Sequence, residues 1–123
     1  MSRPENYRNI LVVEDEWLIA IDIKMMIEEL GHRVIGPARD VASAMTLIGS
    51  HQIDAAFLDI TLGTEKSYPV ADNLDDLGVP FSFVSAYAKN QIPARFHGFD
   101  LLPKPLMPHN LTRQLTKMLG KAP

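Results

Sequence analysis

The sequence predicts a doubly wound α/β fold, a five-stranded parallel sheet with helices on both faces, and three observations carry that prediction. Short apolar runs alternate with segments of helical periodicity from one end of the chain to the other. Four of the runs finish in polar groups: Glu14-Asp15-Glu16 after Ile10–Val13, Asp59 after Ala55–Leu58, Ser85 after Phe81–Val84, and Lys104 just beyond Phe99–Leu102. No repeat, linker or low-complexity stretch interrupts the 123 residues, so the elements belong to one domain.

The first strand, Ile10–Val13, is apolar throughout, as a strand covered on both faces must be. From Leu18 to Leu30, Ile19, Ala20, Ile23, Met26, Ile27 and Leu30 recur at helical spacing. Asp22, Lys24, Glu28 and Glu29 fall mainly on other faces, and Gly31 marks the stop. Arg33–Gly36 is a second, shorter strand. Asp40 suits the N-cap of a helix that uses Val41, Ala44, Leu47 and Ile48 and ends near Gly49. The third strand covers 54–59 and is followed by the looser Thr61-Leu62-Gly63. A helix from about Pro69 to Leu77 buries Val70, Leu74 and Leu77 and stops at Gly78.

Residues 80–85 make the fourth strand. Ala88–His97 contains Pro93 and little apolar periodicity, so the fourth helix is short or irregular. The fifth strand is 99–102, and Pro108 suits the first turn of a last helix that buries Leu111, Leu115, Met118 and Leu119. Of the sheet orders open to such a chain, the flavodoxin-like 2-1-3-4-5 makes strands 1, 3, 4 and 5 contiguous. Those are the four with polar ends, whereas the outlying second strand ends in Gly36-Pro37.

Composition narrows the function classes. Hydrophobic residues make up 46% and charged residues 22%, values of an ordinary globule rather than a disordered chain. A net charge of −3 suggests neither a nucleic-acid partner nor a membrane surface. The absence of cysteine excludes disulfides and thiolate metal ligands. The polar Met1–Asn6 carries no signal-peptide core, which makes a cytoplasmic location the default. The expected layout is a tail at 1–7, the domain at 8–120 and a second tail at 121–123.

Ligands bind at the carboxyl edge of an open parallel sheet. Glu14, Asp15 and Asp59 gathered there raise one another's pKa unless a cation offsets their charge. The donors are all oxygens, so the expected ion is hard, and Mg²⁺ suits a site with few carboxylates. Asp15 and Asp59 are its expected direct ligands, with Glu14 acting through water and the Thr61 carbonyl reaching the same ion. Taken alone, the acidic triplet equally fits a role at the start of the following helix.

Asp59, shielded by its apolar run, is the expected nucleophile toward a phosphorus centre. Lys104, held between Pro103 and Pro105, points one cation at the sheet edge, toward Asp59 at rest and toward phosphoryl oxygen after transfer. The Lys104-Pro105 bond is of the type that can be cis. Ser85 offers a hydroxyl, and the backbone amides of Ala86 and Thr61 add donors. His32, His51, His97 and His109 lack ligand spacing and read as surface or packing residues. Trp17 either packs at the first helix turn or stands where its fluorescence reports metal binding.

These residues resemble a receiver domain of a two-component response regulator, over about Arg8 to Leu119. The likeness rests on Val13-Glu14-Asp15-Glu16, Leu58-Asp59-Ile60, Val84-Ser85-Ala86 and Pro103-Lys104-Pro105, in the family's order and spacing. It implies that Asp59 is the phosphoacceptor, that Glu14 and Asp15 hold Mg²⁺, and that Ser85 and Lys104 are the switch hydroxyl and lysine. The implied reaction moves a phosphoryl group from a histidine kinase phosphohistidine to Asp59, and later hydrolysis restores the resting state. Such a domain is a switch rather than an enzyme acting on external substrates.

Pro80–Tyr87 is similar to the Pro-Phe-x-Phe-Ala-Thr-Gly-Tyr stretch of "FAT GUY" receivers, with Val84, Ser85 and Ala86 in place of Ala, Thr and Gly. That subgroup implies an HWE-type histidine kinase partner. Because the sequence ends soon after the last helix, the expectation is a stand-alone receiver. Its output would be protein contact or relay to a phosphotransfer protein, through the face of the fourth segment and last helix, as a monomer or weak dimer.

One position departs from the family pattern. Leu101 stands three residues before Lys104, where many receivers carry an aromatic switch residue. The expectation is that signalling depends on ordering of 86–98 rather than on an aromatic flip, with substitution by Tyr87 or Phe99 as an open alternative. Two other readings compete: a phosphate-independent interaction domain, and a small aspartate-nucleophile phosphohydrolase. The latter usually has a second aspartate two residues after the nucleophile, where this chain has Thr61.

Overall fold

A computed structural model describes residues 7–120, so 1–6 and 121–123 of the expected tails lie outside the described residues. In chain order the elements are β1 (Asn9–Val13), α1 (Trp17–Glu29), β2 (Arg33–Ala38), α2 (Val41–Ser50) and β3 (Ala55–Asp59). Then follow β4 (Thr61–Leu62), β5 (Glu65–Lys66), α3 (Tyr68–Asp76), β6 (Phe81–Ser85), β7 (Asp100–Pro103) and α4 (Pro108–Leu119). The main sheet has the order β2-β1-β3-β6-β7, every neighbouring pair parallel. This is the expected 2-1-3-4-5 arrangement once the hairpin β4–β5 is set aside.

The two-residue alternation of strand side chains divides the core between the faces. Leu11, Val13, Ala56, Leu58, Phe81 and Phe83 pack with Ala44 and Ile48 of α2 and Val70, Ala71 and Leu74 of α3. Ile10, Val12, Phe57 and Val84 face the other way, against Ile23 and Ile27 of α1 and Leu111 and Leu115 of α4. The central β3 is buried along its whole length, which explains why it reads as a continuous apolar run. The Asp40 carboxylate accepts from Ser43 N at 2.8 Å and caps α2 as expected.

Several expectations need correction. Leu77 is 59% exposed rather than buried. It follows the last residue of α3, where the chain turns at Gly78 with φ 73°, and Val79 packs onto the core instead, its N–H bonding Leu74 O at 2.9 Å. Leu30 is exposed at the end of α1, while Met118 and Leu119 are only half-buried. Trp17, 71% exposed, does not pack at the first turn.

The second strand runs on through Pro37 to Ala38, which an edge strand tolerates because one side needs no N–H donor. Gly36 has φ 104°, and a Cβ there would meet Ala38 N at 2.7 Å and Val12 O at 2.9 Å, so only glycine lets the strands approach. The Gly36-Pro37 and Lys104-Pro105 bonds are both cis.

The irregular fourth helix is replaced by two 3₁₀ turns, Lys89–Gln91 and Ala94–Phe96. They are not loose. Ile92 and Phe96 are buried, and Phe96 stacks on Tyr68 with centroids 5.0 Å apart. An Arg95–Asp72 ion pair ties the second turn to α3 at the surface.

Candidate functional site

The carboxyl edge of the main sheet brings the polar strand ends together. β1 and β3 are neighbours, so Glu14 and Asp15 emerge beside Asp59. Oxygens of Glu14, Asp15 and Asp59 lie within 4.8 Å of one another. Glu14 and Asp59 are buried, whereas Asp15 is half-buried at the rim.

Two backbone donors orient the cluster. Gly63 N donates to Asp15 Oδ2 at 2.9 Å, and Glu16 N donates to Glu14 Oε2 at 3.1 Å. Glu16 is the N-cap of α1 but makes no side-chain cap bond, so the triplet faces the site more than it serves the helix. Acidic residues in that triplet are therefore not explained by capping.

Lys104 answers the acidic charge. Its Nζ donates to Asp59 Oδ2 at 3.0 Å and lies 3.2 Å from Glu14 Oε1 and 3.8 Å from Glu16 Oε1. Burial works against this ammonium, yet its hydrogen bond to Asp59 and the charges of Asp59 and Glu14 hold its pKa above the ordinary value. Glu14 goes the opposite way. Burial first, and contact with Asp59 second, push its carboxyl up to about 7.

Glu14 Oε1 is buried and has no hydrogen-bond partner despite the nearby ammonium. A buried carboxylate oxygen with a free lone pair, next to two more carboxylates, fits a small hard dication. The residues present thus suit Mg²⁺.

Ser85 closes β6, between β3 and β7 in the sheet. Its Oγ accepts from Tyr87 N at 2.9 Å, and its carbonyl accepts from Lys104 N at 3.2 Å. Ala86 is exposed beside it. Leu101 is half-buried against the core, with no aromatic ring at its position.

The structure adds a group that the sequence reading did not assemble. The expected loose segment after Asp59 is a hairpin in which Thr61 pairs with Lys66. Lys66 Nζ donates to Thr61 Oγ1 and to Tyr87 Oη, both at 3.0 Å, and lies 5.0 Å from the Tyr87 ring centroid. Thr61 Oγ1 also donates to Tyr87 Oη at 3.2 Å. A signal was present in Leu62-Gly63-Thr64-Glu65, because glycine at the first position of a two-residue loop marks a tight hairpin; Gly63 has φ 65°. The four histidines do not enter the carboxylate cluster.

A family model described as the response regulator receiver domain matches residues 10–116. The chain is 34% identical over 114 residues to the Phyllosphere-induced regulator PhyR of Methylorubrum extorquens, covering 89% of this chain and 43% of that protein. It is 32% identical over 116 residues to the sensory transduction protein LytR of Streptococcus mutans, covering 89% of this chain and 48% of that protein. It thus spans about half the length of these curated relatives. Among solved structures, SdrG from Sphingomonas melonis Fr1 superposes with a TM-score of 0.82 at 34% identity, over 95% of this chain and 100% of that one. The BeF3-activated conformation of SdrG from Pseudomonas melonis Fr1 gives 0.78 at 35% identity, over 91% and 96%.

Proposed function

Since the chain belongs to the response regulator receiver domain family, we propose that it is a phospho-accepting signalling switch with Asp59 as the acceptor. The observation that carries this reading is the Lys104–Asp59 contact at 3.0 Å beside three carboxylates whose oxygens lie within 4.8 Å. A carboxylate oxygen of Asp59 attacks the phosphorus of a phosphohistidine. The P–N bond breaks with its electron pair going to the imidazole, leaving an acyl phosphate on Asp59 and a free histidine on the donor.

Glu14, Asp15 and Asp59, with the Thr61 carbonyl, would hold Mg²⁺, which when bound offsets charge on the transferring oxygens. Lys104 exchanges part of its contact with Asp59 for a phosphoryl oxygen. The Ser85 hydroxyl turns from the Tyr87 amide toward the same group, and the amides of Ala86 and Thr61 supply further donors. Similarity to SdrG, a protein with a BeF3-activated conformation, supports this reading because BeF3⁻ imitates a phosphoryl group on a carboxylate. The Pro80–Tyr87 stretch, similar to that of "FAT GUY" receivers, supports an HWE-type histidine kinase as the donor.

The test is mass spectrometry after incubation with Mg²⁺ and acetyl phosphate, comparing wild type with Asp59→Asn. One added phosphate, dependent on Mg²⁺ and lost in the variant, is the expected result. No phosphate from acetyl phosphate or from a purified kinase would overturn the proposal. It would favour a phosphate-independent interaction domain, the reading to which Leu101 at the switch position lends weight.

A further inference from the structure

The hairpin after β3 places a second lysine beside the phosphoacceptor's own loop. Thr61 stands two residues beyond Asp59 and is the cross-strand partner of Lys66 in β5. Directly opposed residues of an antiparallel pair hold their Cβ atoms roughly 5 Å apart, so the base of the Lys66 side chain is set by backbone pairing. The hairpin is anchored at its exit, where Ser67 N donates to Ile60 O at 2.9 Å. Lys66 therefore cannot drift from the site, although its four-carbon side chain remains free to swing.

Its ammonium now rests on two neutral oxygens, Thr61 Oγ1 and Tyr87 Oη, and over the Tyr87 ring. Neither oxygen carries formal charge, and Lys66 makes no ion pair among the described residues. Tyr87 belongs to the strand exit that carries Ser85, since its amide is bound by the Ser85 hydroxyl. A dianionic group on Asp59 would be a much stronger partner for this ammonium than a phenol and a hydroxyl.

We infer that Lys66 is a second phosphoryl-facing cation: Tyr87 and Thr61 park it at rest, and phosphorylation of Asp59 draws it onto a phosphoryl oxygen. Tyr87 thereby loses one of its two contacts with the hairpin when the site is loaded, keeping the one from Thr61 Oγ1. That links loading to the start of the 86–99 segment without any aromatic residue at position 101. Lys66 acts here as a second anion-binding residue beside Lys104. The inference rests on the proposal that Asp59 accepts a phosphoryl group.

The test titrates BeF3⁻ in the presence of Mg²⁺ and follows backbone amides by NMR, with Mg²⁺ alone titrated separately. For Lys66→Gln the expected result is a loss of about fivefold in BeF3⁻ affinity, with no loss of Mg²⁺ affinity, and recovery in Lys66→Arg. Tyr87→Phe removes one of the two resting partners and is expected to tighten BeF3⁻ by about twofold, the opposite sign. A packing role for Lys66 would not split anion from metal affinity, nor give opposite signs for the two ends of one hydrogen bond. Wild-type affinity for BeF3⁻ retained in Lys66→Gln would overturn the inference and leave the phosphoacceptor reading intact. Failure of wild type to bind BeF3⁻ at all would overturn both.

Discussion

Lys104 Nζ stands 3.0 Å from Asp59 Oδ2, although β3, which ends in Asp59, and β7, which ends one residue before Lys104, are separated by β6. Strand spacing puts their backbones roughly 10 Å apart, so a long side chain is required to close the gap. The lysine side chain is 17% exposed and that of Asp59 7%, which removes most solvent screening from the pair.

Lys104→Met keeps the length of the side chain and deletes its charge. Phosphate uptake at Asp59 from acetyl phosphate should fall by about 10- to 100-fold, the worth of one charge-assisted hydrogen bond to the transferring group. Mg²⁺ affinity, read by thermal shift, should hold or rise, because a competing cation has gone. Uptake at the wild-type rate would show that Lys104 has no part in transfer.

Glu14 is buried beside Asp59, its carboxyl pushed up to about 7 despite Lys104 at 3.2 Å, and its Oε1 lacks a hydrogen-bond partner. Glu14→Gln should raise the metal-free melting temperature by about 3 °C, equivalent to somewhat under 1 kcal/mol in a domain of this size. The same change should weaken Mg²⁺ binding by about tenfold. Opposite effects on stability and metal affinity separate a functional carboxylate from a structural one. A variant less stable than wild type without metal would refute this account.

Away from the site, Asp100 accepts from Gln114 Nε2 at 2.8 Å and pairs with Lys117 at 2.9 Å. These partners, Gln114 first, hold its carboxyl below the ordinary aspartate range. A carboxyl depressed on folding stabilises the protein above its unfolded pKa, and that contribution disappears as pH falls through the folded value. Asp100→Asn should therefore lower the urea midpoint at pH 7, with the gap to wild type narrowing only as pH falls below the ordinary aspartate range. A gap independent of pH would mean that lost shape, not lost charge, accounts for the difference.

Much of this architecture is legible in the chain itself. Strands buried on both faces have no room for polar residues, so Ile10–Val13 and Ala55–Leu58 are uninterrupted apolar runs whose ends stand out. Helices with one covered face show their period, and Asp40 marks the start of α2. Leu77 misled because hydrophobicity alone does not show where a helix stops, and one residue past the stop the side chain points to water. The fourth segment was legible only as an absence of periodicity; its anchors, Ile92 and Phe96, bury themselves without a regular repeat.

By itself the sequence determined which groups compete for the sheet edge: Glu14, Asp15, Asp59, Ser85 and Lys104, each tied to the end of a strand by local pattern. Only the tertiary structure decided how they meet. It put the Lys104 ammonium between Glu14 and Asp59, turned Asp15 toward Gly63 N, and folded Thr61–Lys66 back so that Lys66 reaches Tyr87. The reason is range. Strand and helix preferences act over a few neighbouring residues, whereas these contacts join positions 21 to 90 residues apart, through sheet register and the meeting of separate loops that no local pattern encodes.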